Sequence, residues 1–284
     1  MKGIDVAKWQ GTIDWSKVAK SGIQFAILKA TRQNNAIEEA FLRNYKGCLT
    51  YKIPVGAYRY VYAKTLAEAK AEANALVKVL KGKTLKCGVW LDMEDITIRK
   101  LGKAKLTSII NTEAKILKKA GFKVGIYCNK DWYFNVLDGA KLSKTYPFWI
   151  ARYPSDDNGT MKEALSPRSY AKVWQYSSKG KVPGIKGNVD LDYSYSNLVK
   201  LMNTLTSSTT PKVKEEEKKT ISYYPKYEGV SESIVTALQA VKVDSNFNYR
   251  KKIAKANGIK LYVGSPAQNI EMLELLKKGK LIKV

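Results

Sequence analysis

The sequence predicts an α/β fold, a parallel sheet or a barrel, followed by a second, smaller domain. Two observations carry this. Up to Leu205, short apolar runs of strand type alternate with longer helical patterns, the arrangement expected of successive βα units. From Thr206 the composition then shifts abruptly to Ser, Thr and Pro211, followed by a Lys- and Glu-rich stretch through Lys219. Such a stretch has no core to bury and reads as a linker. The expected boundaries are a first domain over 1–205, a linker over 206–222 and a C-terminal module over 223–284.

In chain order, strands are expected at Gly3–Val6, Phe25–Lys29, Pro54–Tyr60, Gly88–Asp92, Val124–Tyr127, Phe148–Ala151 and Val173–Tyr176, short runs with β-branched or aromatic members. Helices are expected at Thr65–Leu80, rich in Ala, Glu and Lys, and at Leu106–Ala120, whose end is marked by Gly121. After Gly121 the connections shorten and the strand-like runs crowd together. The C-terminal module carries helical patterns at Glu232–Val241, Tyr249–Ala256 and Ala267–Lys278, punctuated by Gly258, Gly264 and Gly279. A small α+β module of this size is marginal as a lone domain, which makes self-association through it an expectation.

Lys and Arg number 50 against 25 Asp and Glu, a formal net charge of +25. That charge attracts polyanions, whether nucleic acid, an anionic membrane or the anionic polymers of a Gram-positive wall. No finger spacing, basic-region helix or other nucleic-acid motif is present, so nucleic acid is not an expected partner. No apolar run is long enough to span a bilayer, and membrane insertion is not expected. Cys48, Cys87 and Cys128 are odd in number and far apart, which argues against a disulfide framework or thiolate metal site and for reduced core residues. The N-terminus has no apolar segment of signal-peptide length. The expectation is synthesis in a host cytoplasm, with access to any target beyond the membrane only after release.

The chain contains no histidine. Mechanisms that need imidazole as base, acid or metal ligand are thereby excluded. Hydrolysis of a glycosidic bond, by contrast, requires only Asp and Glu. Neither metal nor cofactor is expected.

Asp92 and Glu94 close the run Cys87-Gly88-Val89-Trp90-Leu91. In a strand, residues i and i+2 share a face, roughly 7 Å apart at the backbone, so the two carboxyls emerge together. Asp5 follows the first apolar run, and Asp190 lies between Val189 and Leu191 near the end of the first domain. At the mouth of a barrel the carboxyl ends of the strands converge, which brings these four acids from three distant segments to one place. Aromatics accompany them: Trp9, Tyr58, Tyr60, Tyr62, Tyr127, Trp149, Tyr153, Trp174 and Tyr176. Sugar rings stack on aromatic faces and bond tyrosine hydroxyls, so such a lining suits a saccharide groove. Trp90 reads as core. Tyr60, Tyr127, Trp149 and Tyr153 lie at or beyond strand ends and are expected to bind substrate; Trp174, which fits either reading, is carried with them.

The segments Gly3-Ile4-Asp5-Val6-Ala7-Lys8-Trp9-Gln10-Gly11, Leu91-Asp92-Met93-Glu94, Gly125-Ile126-Tyr127, Trp149-Ile150-Ala151-Arg152-Tyr153, Trp174-Gln175-Tyr176 and Val189-Asp190-Leu191-Asp192 together resemble glycoside hydrolase family 25. Members are N-acetylmuramidases, or lysozymes, common among bacteriophage endolysins. The resemblance implies an irregular, TIM-like (β/α)5β3 barrel, in which five parallel βα units precede a shorter, partly antiparallel finish. It also implies hydrolysis of the β-1,4 bond between N-acetylmuramic acid and N-acetylglucosamine in peptidoglycan. Carried over motif by motif, Glu94 matches the general acid and Asp92 the acid that stabilises positive character around the reacting centre. Asp5 and Asp190 match the acids that shape the site, and Asp192, on the same strand face as Asp190, can exchange roles with it. Glu94 is then expected to hold a proton near neutral pH while Asp92 stays ionised.

The chain departs from the family pattern at Ala30-Thr31-Arg32-Gln33, where an acid and a glycine are common, and at Gly56-Ala57-Tyr58-Arg59-Tyr60, where a histidine is common. Neither position is the general acid. The C-terminal module resembles wall-binding modules of endolysins from phages of clostridia, notably around Tyr249-Arg250-Lys251-Lys252-Ile253-Ala254-Lys255-Ala256-Asn257-Gly258-Ile259 and Gln268-Asn269. It implies tethering to the wall, with wall polysaccharide as a partner, and a bacteriolytic, antimicrobial protein overall. A chitinase or glucosaminidase, and a non-catalytic wall-polysaccharide binder, are the rival readings.

Overall fold

The computed structural model describes residues 1–205 and 222–284, and the chain divides into two compact units, Met1–Pro211 and Lys212–Val284. Apart from Ser222, the linker expected over 206–222 lies outside the described residues.

In the first unit the expected apolar runs form strands β1 (Lys2–Val6), β2 (Phe25–Lys29), β3 (Val55–Tyr60), β4 (Val89–Asp92), β5 (Val124–Asn129), β6 (Phe148–Ala151) and β7 (Val173–Gly180), joined by β8 (Val189–Ser194). The described strands close a barrel in sequential order. Neighbours from β1 to β7 are parallel, and β8 runs antiparallel to both β7 and β1. Helices α1 (Trp15–Lys20), α2 (Phe41–Thr50), α3 (Leu66–Leu80), α4 (Lys103–Lys119) and α5 (Gly139–Leu142) each follow a strand of the first five, and α6 (Leu198–Thr204) follows β8. This is the five-plus-three arrangement, with β6, β7 and β8 joined without an α-helix.

Period-2 alternation sorts the strand residues into two layers. Phe25, Ile27, Trp90, Tyr127, Trp149 and Val173 fill the interior, whereas Ile4, Val6, Ala26, Leu28, Val89, Leu91, Ile126, Phe148 and Ile150 face outward and pack with Leu76, Leu80, Ile110 and Leu117 of the helices. The large interior rings set the local glycines. A Cβ on Gly3 would lie 2.2 Å from the Phe25 ring, and one on Gly125 2.3 Å from that of Trp90.

The helix limits follow their caps. Thr65 stands just before α3 and caps it, accepting from Glu68 N at 3.2 Å while the Glu68 carboxylate accepts from Thr65 N. Helix α4 starts a turn earlier than expected and ends where Gly121 takes φ +90°.

The second unit holds α7 (Ile234–Ala240), α8 (Phe247–Ala256) and α9 (Pro266–Lys277). Ser233, Asn246 and Ser265 cap them in turn. Their core joins Tyr224, Ile234, Leu238, Ile253, Met272, Leu273, Leu276 and Leu281. The expected β component is reduced, among the described residues, to one isolated antiparallel bridge between Tyr223 and Ile282. Asn257 secures that end of the chain, accepting from Ile282 N at 2.8 Å. Among the described residues no helix is long and apolar enough to cross a membrane, and all three cysteines are free and buried.

Candidate active site

The strands deliver acids to one end of the barrel interior. Asp5, on the inward face of β1, is the direct cross-strand partner of Asp190 on β8. Asp92 ends β4 between Tyr60 of β3 and Tyr127 of β5. Glu94 follows two residues later on the same face. All four line one cavity of about 220 Å³ together with Tyr58, Tyr127, Trp149, Tyr153 and Gln175. Larger hollows lie elsewhere, one of about 580 Å³ edged by Lys81, Lys83, Lys86 and Lys123 and one of about 340 Å³ beside Tyr133, Phe134 and Tyr170. Neither collects acids, so chemistry and not size singles out the small cavity.

Burial dominates the electrostatics. Asp5 is pushed well above the usual carboxylate range by burial and by its neighbours Asp190 and Asp192, against a hydrogen bond from Gln175. Asp92 is raised by burial and by Glu94. Glu94 is raised by burial, with Lys29 opposing, and Asp190 is pushed up to about 7 by burial and by Glu94. Burial thus moves Asp92 and Glu94 in the same direction, whereas their expected roles set them apart. Asp92 is 3% exposed and Oδ1 has no hydrogen-bond partner among the described residues.

Tyr127 and Trp149 line the cavity as expected, but lower than an open stacking platform: their rings meet edge-on, 4.5 Å between centroids, and both are buried. Tyr153 is 37% exposed at the mouth. Tyr60 stands half-buried beside the cavity, its ring tilted against that of Tyr62 at 4.8 Å between centroids, with Lys29 Nζ 5.4 Å from its ring. Trp174 is a correction. It is fully buried, belongs to the outward layer and donates its indole N–H to the carbonyl of Arg152 at 2.9 Å. Val173 and Gln175 take the inward positions on β7, so strand parity removes Trp174 from the groove. The two acids of β8 also separate. Asp190 lines the cavity, while Asp192 is wholly buried and accepts from Trp149 Nε1 at 2.8 Å.

Tyr58, one of the aromatics expected near the mouth, lines the cavity, and two residues beyond the expected set take part. Lys29 ends β2 with Nζ 5.7 Å from the Tyr58 ring and carries the positive charge that acts on Asp92 and Glu94. Gln175 donates from Nε2 to Asp5 Oδ2 at 2.6 Å and accepts at Oε1 from the hydroxyls of Tyr127, at 2.7 Å, and Tyr153. The available signal was parity: Phe25, Ile27 and Lys29 share the inward face, as do Val173 and Gln175.

Residues 4–185 match glycosyl hydrolases family 25. The autolytic lysozyme of Clostridium acetobutylicum is 30% identical over 194 residues, covering 68% of this chain and 55% of that protein. The chain thus spans about half the length of that relative. Among solved structures, the CTP1L endolysin superposes with a TM-score of 0.59 at 27% identity, over 71% of this chain and 69% of that one. A bacterial lysozyme from Streptomyces coelicolor does so with a TM-score of 0.58 at 26% identity, over 74% of this chain and 98% of the other.

Proposed function

The chain belongs to glycosyl hydrolases family 25, and on that ground we propose that it is an endolysin whose barrel hydrolyses the β-1,4 bond between N-acetylmuramic acid and N-acetylglucosamine in bacterial peptidoglycan. The observation that carries this reading is one cavity lined by Asp5, Asp92, Glu94 and Asp190 in a chain without histidine. Glu94 is the general acid, and burial raises its pKa in the direction a proton donor needs. The substrate's 2-acetamido N–H donates to Asp92, whose Oδ1 is otherwise unpartnered among the described residues. That bond favours the charged form of Asp92, the form its stabilising role requires.

Glu94 then passes its proton to the glycosidic oxygen as the C1–O bond breaks, and the acetamido oxygen attacks C1 in place of an enzyme nucleophile. Water opens the resulting ring, giving its proton to Glu94, and the product retains its configuration. Such substrate assistance is a known variant of two-carboxylate chemistry.

The second unit is assigned as a wall-binding module acting on wall polysaccharide. Tethering raises the local concentration of the barrel on an insoluble substrate, and self-association through this unit would add to that. Synthesis in the cytoplasm of a phage-infected host, followed by release to the wall, completes the proposal. The test is Glu94→Gln. It should abolish the clearing of a peptidoglycan suspension while leaving wall pull-down intact, and the wild type should release muramic acid reducing ends by mass spectrometry. Glucosamine ends would favour the glucosaminidase rival, and lysis by the variant would remove the assigned acid.

A further inference from the structure

Gln175 is buried at 3% exposure and spends its whole carboxamide inside the acid cluster. Its amide could be turned over with little change in shape, but its partners differ in what they offer. Tyr127 and Tyr153 both direct their hydroxyls at Oε1, and burial pushes both phenols above their ordinary range, so both keep a proton to donate. With its oxygen taken twice, the amide has its NH2 left for Asp5 Oδ2 at 2.6 Å. The reversed amide would face Asp5 with an acceptor, which only a protonated Asp5 could satisfy.

We infer that Gln175 is a positioning residue of the acid cluster, tied on one side to two tyrosine hydroxyls and on the other donating to Asp5, the contact that favours the charged form of Asp5 against its burial. The inference rests on the glycosidase reading of the cavity. Asp5 is faced by Asp190 and Asp192 from β8, Asp92 and Glu94 from β4, Tyr58 from β3, Tyr127 from β5, Tyr153 beyond β6 and Gln175 from β7. Lys29 on β2 brings the positive charge on the β4 side. Among these groups Gln175 is the donor bonded to Asp5. The donated hydrogen bond draws Asp5 towards its charged form and so works against its competing with Glu94 for a proton.

The test is a pH–rate profile on peptidoglycan for Gln175→Met and, separately, for the Tyr127→Phe/Tyr153→Phe double variant. Gln175→Met removes the donor. It should lower kcat about 10–100-fold, the usual size for loss of an orienting partner, and move the acid limb to higher pH with little change in KM. The double variant should move the limb the same way without touching the amide. Gln175→Glu should recover activity towards acid pH, where its own carboxyl carries a proton to give Asp5; a merely structural role would not do this. If Gln175→Met fails to fold, the double variant decides. Wild-type profiles in the folded variants would overturn the inference. Glu94→Gln run in parallel separates the two readings: activity there removes Glu94 as the acid on which the proposed mechanism rests, whereas inactivity there with unshifted Gln175 profiles sinks only the role of Gln175.

Discussion

Trp149 donates its indole N–H to Asp192 at 2.8 Å beneath the floor of the carboxylate cavity, and this bond divides the labour of two acids on one strand face. Asp192 is committed to the floor; Asp190, one pleat nearer the mouth, lines the cavity. The motif Val189-Asp190-Leu191-Asp192 left the two interchangeable, because period-2 geometry gives them the same side and says nothing of depth. The expected ranking is a loss on the order of 10²-fold in kcat for Asp190→Asn and a much smaller loss for Asp192→Asn, whose amide oxygen still accepts from Trp149. Initial rates of wall clearing would measure both, and the reverse order would transfer the site role to Asp192.

Asp192 also makes stability depend on pH. Burial pushes its pKa well above the ordinary carboxylate value, so folding favours the neutral form. That contribution is complete below the unfolded pKa, roughly 4, and fades as pH rises through the folded value. Asp192→Asn is neutral at every pH. Its melting temperature relative to the wild type should therefore rise from pH 4 towards neutrality, by the equivalent of about 1 kcal/mol. A difference that stays flat with pH would show that Asp192 is ionised in the folded protein.

The barrel was legible because its strands are buried on both faces and its helices are amphipathic; register and depth were not. Trp174 shows the limit. An aromatic at a strand end looks equally suited to a groove and to a core, and only the inward positions of Val173 and Gln175 decide between them. Trp174→Phe is expected to cost about 1–3 kcal/mol of stability with KM unchanged in the folded fraction. Tyr153→Ala should raise KM, since that ring is exposed at the mouth. Denaturant melts and saturation kinetics on soluble glycan would separate the two, and a raised KM for Trp174→Phe would return it to the groove.

Lys29 escaped notice because a lone lysine ending a strand is ordinarily solvated. Here its ammonium lies over Tyr58 and Tyr60 and its charge favours ionisation of both Asp92 and Glu94. Removing it in Lys29→Met raises the pKa of Glu94, so the acid stays protonated to higher pH. The alkaline limb of kcat should move upward. An unmoved or acid-shifted limb would mean that Lys29 does not reach Glu94, the proposed general acid.

Arg59 occupies a position where the family resemblance leads one to expect histidine, and the structure supplies a reason for its retention. On the outward face of β3 it is fully buried, with Nε 3.1 Å from Glu72 Oε2, the second guanidinium edge at 3.0 Å from Glu72 Oε1, and a 2.9 Å bond to Thr31 Oγ1. Glu113 of α4 stands against this pair, and burial together with Glu72 pushes its pKa well up. The Arg59–Glu72 ion pair thus lies against a third buried carboxyl in the space between barrel and helices. Arg59→Met leaves Glu72 buried without its counter-ion and should cost about 3–5 kcal/mol, whereas Arg59→Met/Glu72→Leu removes both charges and should recover much of that loss. Because the network lies outside the barrel, the kcat of folded molecules should hold in the double variant. Urea melts of the three proteins decide the matter: a double variant no more stable than Arg59→Met would show that the arginine stem, and not its charge, holds the helices to the barrel.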